Sequence, residues 1–303
     1  MTSLVFPGQG SQFVGMAKDF NDNFKIAKST FEEIEDYTNI NLRKIIFDNE
    51  ENKLNLTKFT QICIFATSYV FYKTYVSEKN YNTKETNVMM GHSLGEYTAL
   101  ACSNKISLKD CSLILKKRGE LMHTAVIPNE TGMAALIGKD SDYVQNIIDE
   151  NQLNLEIAND NSQIQIVISG KISDINKSKE IFLKNNIKKF VVLNVSAAFH
   201  SKYMIEAQKE LSDQIEKLNF ISNEIKIVSN YDAGIYNDNL MIKKNLQNQM
   251  ANKVNWTKSI RNLEKTGETS IVEFGPNKVL SGLIKRISNN FDIVTINNIS
   301  DLS

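Results

Sequence analysis

Residues 88–96 of this chain read Val88-Met89-Met90-Gly91-His92-Ser93-Leu94-Gly95-Glu96. A short apolar run leads into Gly-x-Ser-x-Gly, and a helix-forming segment follows, which is the sequence form of a nucleophile elbow. In such an elbow a strand enters a sharp turn, the serine occupies the apex, and a helix begins immediately behind it. The pattern predicts that Ser93 projects from the sheet, and that the Leu94 amide points to where an oxyanion would form. The alternative is a tight strand-to-helix connection in which Ser93 only caps the helix.

The composition is that of a globular protein with balanced charge. The chain has 303 residues, of which 42% are hydrophobic and 23% are charged, and Lys plus Arg equals Asp plus Glu at 35 each. This length suffices for one large domain with a smaller inserted one. Balanced charge argues against a nucleic-acid partner. No apolar run could span a bilayer, and the first residues do not form a signal peptide, so we expect a cytoplasmic protein with no membrane partner.

The cysteines and histidines show no metal-binding pattern. The three cysteines, Cys63, Cys102 and Cys111, lie in apolar or helical contexts and are odd in number. We interpret them as buried free thiols in a reducing compartment. Since no Cys/His cluster has ligand spacing, we expect no metal site.

Strands and helices alternate along most of the chain, which indicates an α/β sheet. Leu4–Phe6 is predicted to be a short buried strand, helical patterns follow to about residue 80, and Val88–Met90 is the elbow strand. A capping box at Ser107–Asp110 opens a helix that runs to about His123. The later elements are predicted as a helix at Lys202–Leu218, a strand at Ile225–Ser229, a helix at Val254–Thr266, a strand at Ser270–Phe274, a helix ending at Ile287 and a strand at Asp292–Ile296.

The region from about 130 to 195 has its own order of elements. The pattern predicts strands at Met133–Ile137, Leu153–Ala158, Ile164–Ile168 and Phe190–Leu193, with helices at Ser141–Glu150 and Ile172–Lys184. The order β-α-β-β-α-β is that of a ferredoxin-like unit. The predicted architecture is therefore an α/β-hydrolase-like domain, residues 1–127 and 197–303, with an inserted ferredoxin-like subdomain at 128–196.

A serine nucleophile needs a base, and the chain has only three histidines. His92 adjoins Ser93 in the turn and would point away from it. His123 ends a helix, where it would interact with the helix dipole. By elimination His200, at the return from the inserted unit, is the candidate base, although a surface histidine capping the next helix is the alternative.

Two further features fit acyl chemistry. The loop Pro7–Gln12 follows the first strand at the edge of the sheet where α/β sites form, so its amides could complete an oxyanion hole. Arg118 adjoins Gly119, which permits close approach, and its planar fork suits a carboxylate. Most helical arginines are solvated, which is the alternative for Arg118.

Together these segments resemble the malonyl-CoA:acyl carrier protein transacylases of bacterial fatty acid synthesis. The matches follow the family's order and span nearly the whole chain. They are Phe6–Gln12, Gly91–Glu96, Lys117-Arg118-Gly119 with Met122, Gln165–Gly170, Phe199-His200-Ser201, Ser229-Asn230, Trp256–Ser259 and Glu273–Leu280.

The resemblance implies catalytic roles for five residues. Ser93 would be the nucleophile and His200 its base. The histidine would be oriented by a backbone carbonyl, for which Gln249 is the matching position. The amides of Gln9 and Leu94 would form the oxyanion hole.

The resemblance also implies how the substrate is held. Arg118 would clamp the malonyl carboxylate, and Asn159, Asn161 and Gln165 would line the cleft on the subdomain side. The expected partners are malonyl-CoA and acyl carrier protein, whose phosphopantetheine arm accepts the malonyl group in ping-pong transfer. A monomer without metal or redox cofactor is expected.

Three other functions remain open at this point. A trans-acting acyltransferase of a polyketide synthase would share the site and differ in its carrier partner. A thioester hydrolase would have less need of the Arg118 clamp. A catalytically inactive docking protein would not need Ser93, His200 and Arg118 together.

Overall fold

The computed structural model describes residues 2–125 and 130–302. Over these ranges the strands form two separate sheets, and helices connect them. The strands are β1 (Thr2–Phe6), β2 (Thr86–Gly91), β3 (Thr131–Ile137), β4 (Leu155–Ser162), β5 (Gln165–Lys171), β6 (Lys189–Val192), β7 (Lys226–Val228), β8 (Ile235–Tyr236), β9 (Ser270–Phe274) and β10 (Asp292–Ile296).

The helices are α1 (Lys18–Asn23), α2 (Lys25–Thr38), α3 (Leu42–Phe47), α4 (Thr57–Glu78), α5 (Leu94–Cys102), α6 (Leu108–Thr124), α7 (Ser141–Glu150), α8 (Ile172–Lys184), α9 (Ile205–Glu216), α10 (Asn239–Gln247), α11 (Trp256–Glu264) and α12 (Val279–Ile287). Short 3₁₀ turns occur at Glu50–Asn55, Thr83–Glu85, Lys202–Met204 and Ile299–Leu302. Within the described ranges, none of these helices combines the length and the apolar character that crossing a bilayer requires.

The larger sheet has the strand order β10-β9-β1-β2-β7-β8. Neighbouring strands in this sheet are parallel, except that β8 pairs antiparallel with β7. Helices cover both faces of a parallel sheet, and accordingly Leu4, Val5 and Phe6 of β1 are fully buried. The carboxyl ends of β1, β2, β7 and β9 meet at one edge, so the loops that follow these strands converge there.

Helix α4 forms the centre of the large α/β domain. It lies in the region where the sequence predicted helical patterns, and the structure buries nearly every side of it. The ring of Tyr72 makes edge contacts with Phe6 of β1, at 6.3 Å, and with Phe274 of β9, at 5.6 Å. At the start of α4, Thr57 Oγ1 accepts from Gln9 Nε2 at 3.4 Å, which places this end of the helix beside the loop after β1.

The inserted unit is the predicted ferredoxin-like subdomain. Its four strands have the order β4-β5-β3-β6 and are antiparallel throughout. Helices α7 and α8 contribute to a separate apolar core that includes Val144, Ile168 and Phe182. The predicted boundary at 127/128 lies outside the described residues, and the exact domain limits stay a prediction.

The sequence pattern located most of the strands and helices within a few residues, but not the two-residue strand β8. Helix α10 was not predicted, because it is short and three of its four apolar residues are consecutive, at 240–242, which is not a helical stripe. Its buried positions are Ile242, Asn245 and Leu246. The helix is stabilised by tertiary contacts with α9, which a local pattern does not reveal.

Candidate active site

The turn between β2 and α5 is a nucleophile elbow. Ser93 has φ 54° and ψ −109°, a strained conformation for a residue with a side chain. A Cβ on Gly91 would lie 2.0 Å from the carbonyl carbon of Gly95, and one on Gly95 would lie 2.0 Å from the carbonyl oxygen of Phe6. Only glycine fits at these two positions, because strand and helix approach each other this closely. The turn presents the Ser93 hydroxyl at the carboxyl edge of the sheet.

The base predicted by elimination contacts the serine. Ser93 Oγ lies 2.8 Å from His200 Nε2. His200 Nδ1 lies 3.1 Å from the carbonyl oxygens of both Gln249 and Asn252. Since a carbonyl only accepts hydrogen bonds, Nδ1 carries the proton, and Nε2 offers its lone pair to the Ser93 hydroxyl. This tautomer is the one that a general base requires.

The surroundings keep His200 neutral. The side chain is 4% exposed. Burial is the main cause that lowers the pKa of His200 to about 3, and the positive charge of Arg118 acts in the same direction. An imidazole with such a pKa is uncharged at neutral pH, so the lone pair of Nε2 is available to accept from the Ser93 hydroxyl.

Arg118 reaches the same hydroxyl from helix α6. Its Nη2 donates to Ser93 Oγ at 3.0 Å and to Gln249 Oε1 at 3.1 Å, while Nη1 donates to Gln61 Oε1 at 2.5 Å. The guanidinium lies over the ring of Tyr97 at 5.3 Å. Arg118 is 1% exposed, and burial lowers its pKa, although an arginine remains charged at neutral pH.

The acceptors that hold the guanidinium are a hydroxyl and two carboxamides, and no carboxylate among the described residues pairs with it directly. The buried carboxyl of Glu96 attracts it from beyond contact distance. Burying a charge is costly unless an opposite charge compensates for it. The arrangement therefore suits an anionic ligand that reaches Arg118 beside Ser93. A planar carboxylate matches the geometry of the fork.

A cavity of about 240 Å³ opens onto these groups. Its lining includes Gln9, Leu94 and Asn159 together with Ser93, His200, Arg118 and Gln61. One wall is apolar and consists of Met122, Met133, Leu193, Val195 and Phe199. Gln9 follows β1 and Leu94 begins α5, so both lie where the sequence placed the oxyanion hole. That role of their amides stays a prediction.

Gln249 and Asn161 do not line the cavity. This agrees with the expectation that Gln249 orients His200 through its carbonyl, but it is contrary to the expectation that Asn161 lines the cleft. Gln249 lies behind the catalytic pair and contacts it through hydrogen bonds. Asn161 Oδ1 lies 2.8 Å from His92 Nε2, and the His92 ring packs against Trp256 at 5.5 Å, so His92 has the packing and hydrogen-bonding role expected of it.

The structure does not bring Gln165 to the cavity, contrary to the expectation. Gln165 begins β5 directly after the tight turn from β4, at the hairpin tip that faces α12. Its Oε1 accepts from Arg286 Nη1 at 2.6 Å. The hairpin places Asn159, six positions earlier in the sequence, at the cavity instead.

Sequence reasoning assigned no role to four residues of the site. Asn252 supplies the second carbonyl to His200, and no local signal marks it. Gln61 is a polar residue within the apolar run of α4, which was an unused signal. Glu96 and Asn230 lie in the matched segments, and their contacts are described below.

The buried imidazole makes the stability of the fold depend on pH. An unfolded histidine has a pKa of about 6.5, whereas that of folded His200 is about 3 and that of His92, lowered by desolvation, is about 4. Between these values the unfolded chain binds protons that the folded chain does not. The contribution of the two histidines to stability is thus fully present above pH ~6.5 and is lost as the pH falls toward 3–4. Burial raises the pKa of Glu96 from 4.5 to about 7, which opposes the effect of one histidine between these values. Each histidine contributes a slope of up to about 1.4 kcal/mol per pH unit.

We expect urea unfolding to show a lower free energy at pH 5 than at pH 7.5, and His200→Gln to reduce the slope on the acid side. The comparison of slopes is unaffected by any constant loss of stability in the variant. Equal slopes in the two proteins would contradict a neutral His200.

The state of the cysteines agrees with the sequence pattern. Cys63, Cys102 and Cys111 are buried and free, as predicted. Over residues 2–125 and 130–302, no group of three or more His, Cys, Asp or Glu side chains is arranged to hold a metal ion.

Comparison with known proteins agrees with this geometry. A family model described as an acyl transferase domain matches residues 3–295. The malonyl CoA-acyl carrier protein transacylase of Bacillus subtilis (strain 168) is 33% identical over 97% of this chain and 92% of its own length.

Two further relatives are connected with polyketides. The polyketide biosynthesis malonyl CoA-acyl carrier protein transacylase PksC of the same organism is 36% identical over 95% of this chain and 97% of its own length. A malonyl-transacylase solved in complex with its type II PKS acyl-carrier protein superposes with a TM-score of 0.94 and 31% identity, over 99% of this chain and 97% of its own.

Proposed function

Because the chain belongs to the family of malonyl-CoA:acyl carrier protein transacylases, we propose that it transfers malonyl groups from malonyl-CoA to acyl carrier protein for fatty acid synthesis. One observation carries the proposal. Ser93 Oγ lies within hydrogen-bond distance of both a neutral imidazole, at 2.8 Å, and a guanidinium whose direct side-chain partners are neutral, at 3.0 Å. The first group activates the hydroxyl and the second recognises the malonyl carboxylate.

The first half-reaction forms an ester on the enzyme. Ser93 Oγ attacks the thioester carbonyl while His200 Nε2 takes the hydroxyl proton. Negative charge develops on the carbonyl oxygen, which the amides of Gln9 and Leu94 stabilise. The carbon–sulfur bond then breaks, His200 returns the proton to the departing sulfur, and coenzyme A leaves with malonyl held on Ser93.

The second half-reaction reverses these steps with a different thiol. The phosphopantetheine thiol of the carrier protein attacks the Ser93 ester, and His200 takes its proton. Collapse of the tetrahedral intermediate breaks the bond to Ser93 Oγ, which recovers the proton from His200. The sequence of two transfers through one covalent intermediate is ping-pong acyl transfer.

The remaining expectations extend this proposal. The steps move protons and an acyl group without any change of oxidation state, so we include no metal and no redox cofactor. Every group in the mechanism comes from one chain, which supports action as a monomer. Buried free thiols support a cytoplasmic location.

Four basic residues are candidates for docking an acidic carrier protein, and they differ in availability: Lys116, Lys117, Lys285 and Arg286. Lys117 Nζ pairs with Glu210 Oε1 at 2.5 Å, Lys116 Nζ donates to the Thr38 carbonyl at 2.9 Å, and Arg286 binds Gln165. These three side chains already have partners within the chain. Lys285, next to Arg286, is the remaining candidate of the four.

A carrier protein of polyketide synthesis is the second candidate partner, because a polyketide transacylase is among the relatives of comparable identity. A thioester hydrolase would share Ser93 and His200. The buried Arg118 favours malonyl transfer over hydrolysis of neutral acyl groups.

Intact-protein mass spectrometry tests the proposal directly. After mixing with malonyl-CoA, we expect a malonyl adduct on Ser93 that persists in buffer. Holo carrier protein should remove the adduct and gain the same mass, whereas apo carrier protein, which lacks the thiol, should not. Loss of the adduct in buffer alone would instead identify a hydrolase. Holo carrier proteins of fatty acid and polyketide synthesis, compared in parallel, separate the two candidate partners.

A further inference from the structure

The carboxamide of Asn230 bridges the strained elbow with two hydrogen bonds. Asn230, in the loop after β7, is 1% exposed. Its Oδ1 accepts from the Ser93 backbone N–H at 2.6 Å, and its Nδ2 donates to the Gly91 carbonyl at 2.7 Å. The two contacts lie on either side of the turn, so the amide group of Asn230 bridges it. Such a bridge resists relaxation of the unfavourable backbone angles at Ser93.

The buried carboxylate of Glu96 in turn binds the backbone of Asn230. Glu96 lies in the first turn of α5, directly behind the nucleophile, and is 1% exposed. Its Oε2 accepts from the backbone N–H of Asn230 at 3.0 Å. The same oxygen accepts from Gln249 Nε2 at 2.7 Å. Three segments, around positions 96, 230 and 249, therefore meet at one atom.

Gln249 connects Glu96 to the catalytic base His200. Its Nε2 also donates to the Ser93 carbonyl at 2.9 Å, and its Oε1 accepts from Arg118. Its own carbonyl accepts from His200 Nδ1. The side chain that binds Glu96 thus belongs to the residue whose backbone orients the imidazole.

We propose that Glu96 and Asn230 are positioning residues. Through the shared Glu96 oxygen they fix the Ser93 elbow relative to the segment around Gln249, which orients His200. The inference rests on the proposed function in so far as it takes Ser93 as the nucleophile. Neither residue lines the cavity, so each acts through its neighbours and does not touch the substrate.

A carboxylate suits this position for two physical reasons. Hydrogen bonds to an ionised acceptor are shorter and stronger than those between neutral groups. A negative charge in the first turn of a helix also interacts favourably with the helix dipole. Burial opposes both effects and raises the pKa of Glu96 to about 7.

The test measures the nucleophile separately from malonyl recognition. A fluorophosphonate probe modifies an activated serine without using the Arg118 clamp, and its rate at Ser93 is followed by mass spectrometry. We compare Asn230→Ala, Glu96→Asp and Glu96→Gln, together with kcat and KM for malonyl-CoA. A misplacement of reacting groups by about 1 Å costs on the order of a hundredfold in rate.

For Asn230→Ala and Glu96→Asp we expect labelling rates and kcat to fall by about 10- to 100-fold, with KM changed by less than about threefold. Glu96→Gln should lie between Glu96→Asp and wild type, because its one amide oxygen can still accept from both donors but carries no charge. Glu268→Gln is the matched control. Glu268 is also a buried carboxylate, 3% exposed, and it accepts from Ser3 and Asn87 at the opposite end of β1 and β2. It should retain wild-type labelling at a similar loss of thermal stability.

Two results would overturn the proposal. One is labelling of folded Asn230→Ala and Glu96→Asp within about twofold of wild type. The other is an equal fall in Glu268→Gln, which would mean that general stability sets the rate. Should Asn230→Ala fail to fold, Asn230→Asp, which keeps Oδ1 and removes the donor to Gly91, takes its place. If wild-type Ser93 is labelled but transfers no malonyl, the proposed function fails, while the labelling rates still decide the positioning role.

Discussion

Replacement of Ser93 with alanine is expected to abolish transfer of isotope from labelled malonyl-CoA to holo carrier protein. The change removes the one oxygen that lies 2.8 Å from His200 Nε2 and 3.0 Å from Arg118 Nη2. Without it no ester forms, and the loss should be at least about a thousandfold. Isotope transfer and the mass of the intact protein both measure this, since the malonyl adduct should also be absent.

A matched control for this change is Ser103→Ala. Ser103 is a buried serine at the far end of α5, and its hydroxyl donates only to the Leu100 carbonyl, at 3.0 Å. It should retain transfer near the wild-type rate. Transfer by folded Ser93→Ala at more than about one percent of that rate would refute covalent catalysis at this residue.

The second large effect is a change of acyl preference in Arg118→Ala. The guanidinium is the only group that we assign to the free carboxylate of malonyl, which acetyl lacks. Loss of a bidentate, charge-assisted contact should cost malonyl about 2–3 kcal/mol more than acetyl. The ratio of kcat/KM for malonyl-CoA to that for acetyl-CoA should thus fall roughly 30- to 150-fold. Arg118→Ala also removes the hydrogen bond to Ser93 Oγ, but this loss slows transfer of malonyl and acetyl alike and therefore does not change the ratio.

Gln61→Glu separates the charge of Arg118 from its shape. It would place a carboxylate where the carboxamide oxygen now lies, 2.5 Å from Nη1, and would neutralise the guanidinium without removing it. The malonyl-to-acetyl ratio should fall in the same direction as in Arg118→Ala, whereas Gln61→Met, which is neutral, should preserve it better. An unchanged ratio in both Arg118→Ala and Gln61→Glu would show that this cation does not select the acyl group.

Local pattern was sufficient for much of the fold. Strand β9 (Ser270–Phe274) and helix α8 (Ile172–Lys184) were predicted at the limits that the structure shows. Hydrophobic periodicity, caps and glycines act over a few residues, so they can be read from the sequence directly. Helix α10 was missed because contacts with a distant element stabilise it.

Some residues of the candidate site could also be predicted from the local sequence, and others could not. The Ser93 elbow is encoded by five adjacent residues, but the choice of His200 came from elimination and the resemblance, since 107 positions separate the two. Gln165 was assigned to the cleft from its position in a matched segment alone. This assignment failed because the β4–β5 hairpin places its side chain against Arg286. The role of Gln61 as the neutral partner of Arg118 had no local signal beyond a polar residue in an apolar helix.

The sequence by itself determined the strand–turn–helix with a serine at its apex, the order of the elements and the family, because steric limits on glycine and the periodicity of buried residues are local. Only the tertiary structure decided which nitrogen of His200 bears the proton, which neutral side chains hold Arg118, and that Glu96 joins Asn230 to Gln249. These depend on distances of about 3 Å between groups on different segments. Such distances arise only when the two sheets and the helices around them have packed.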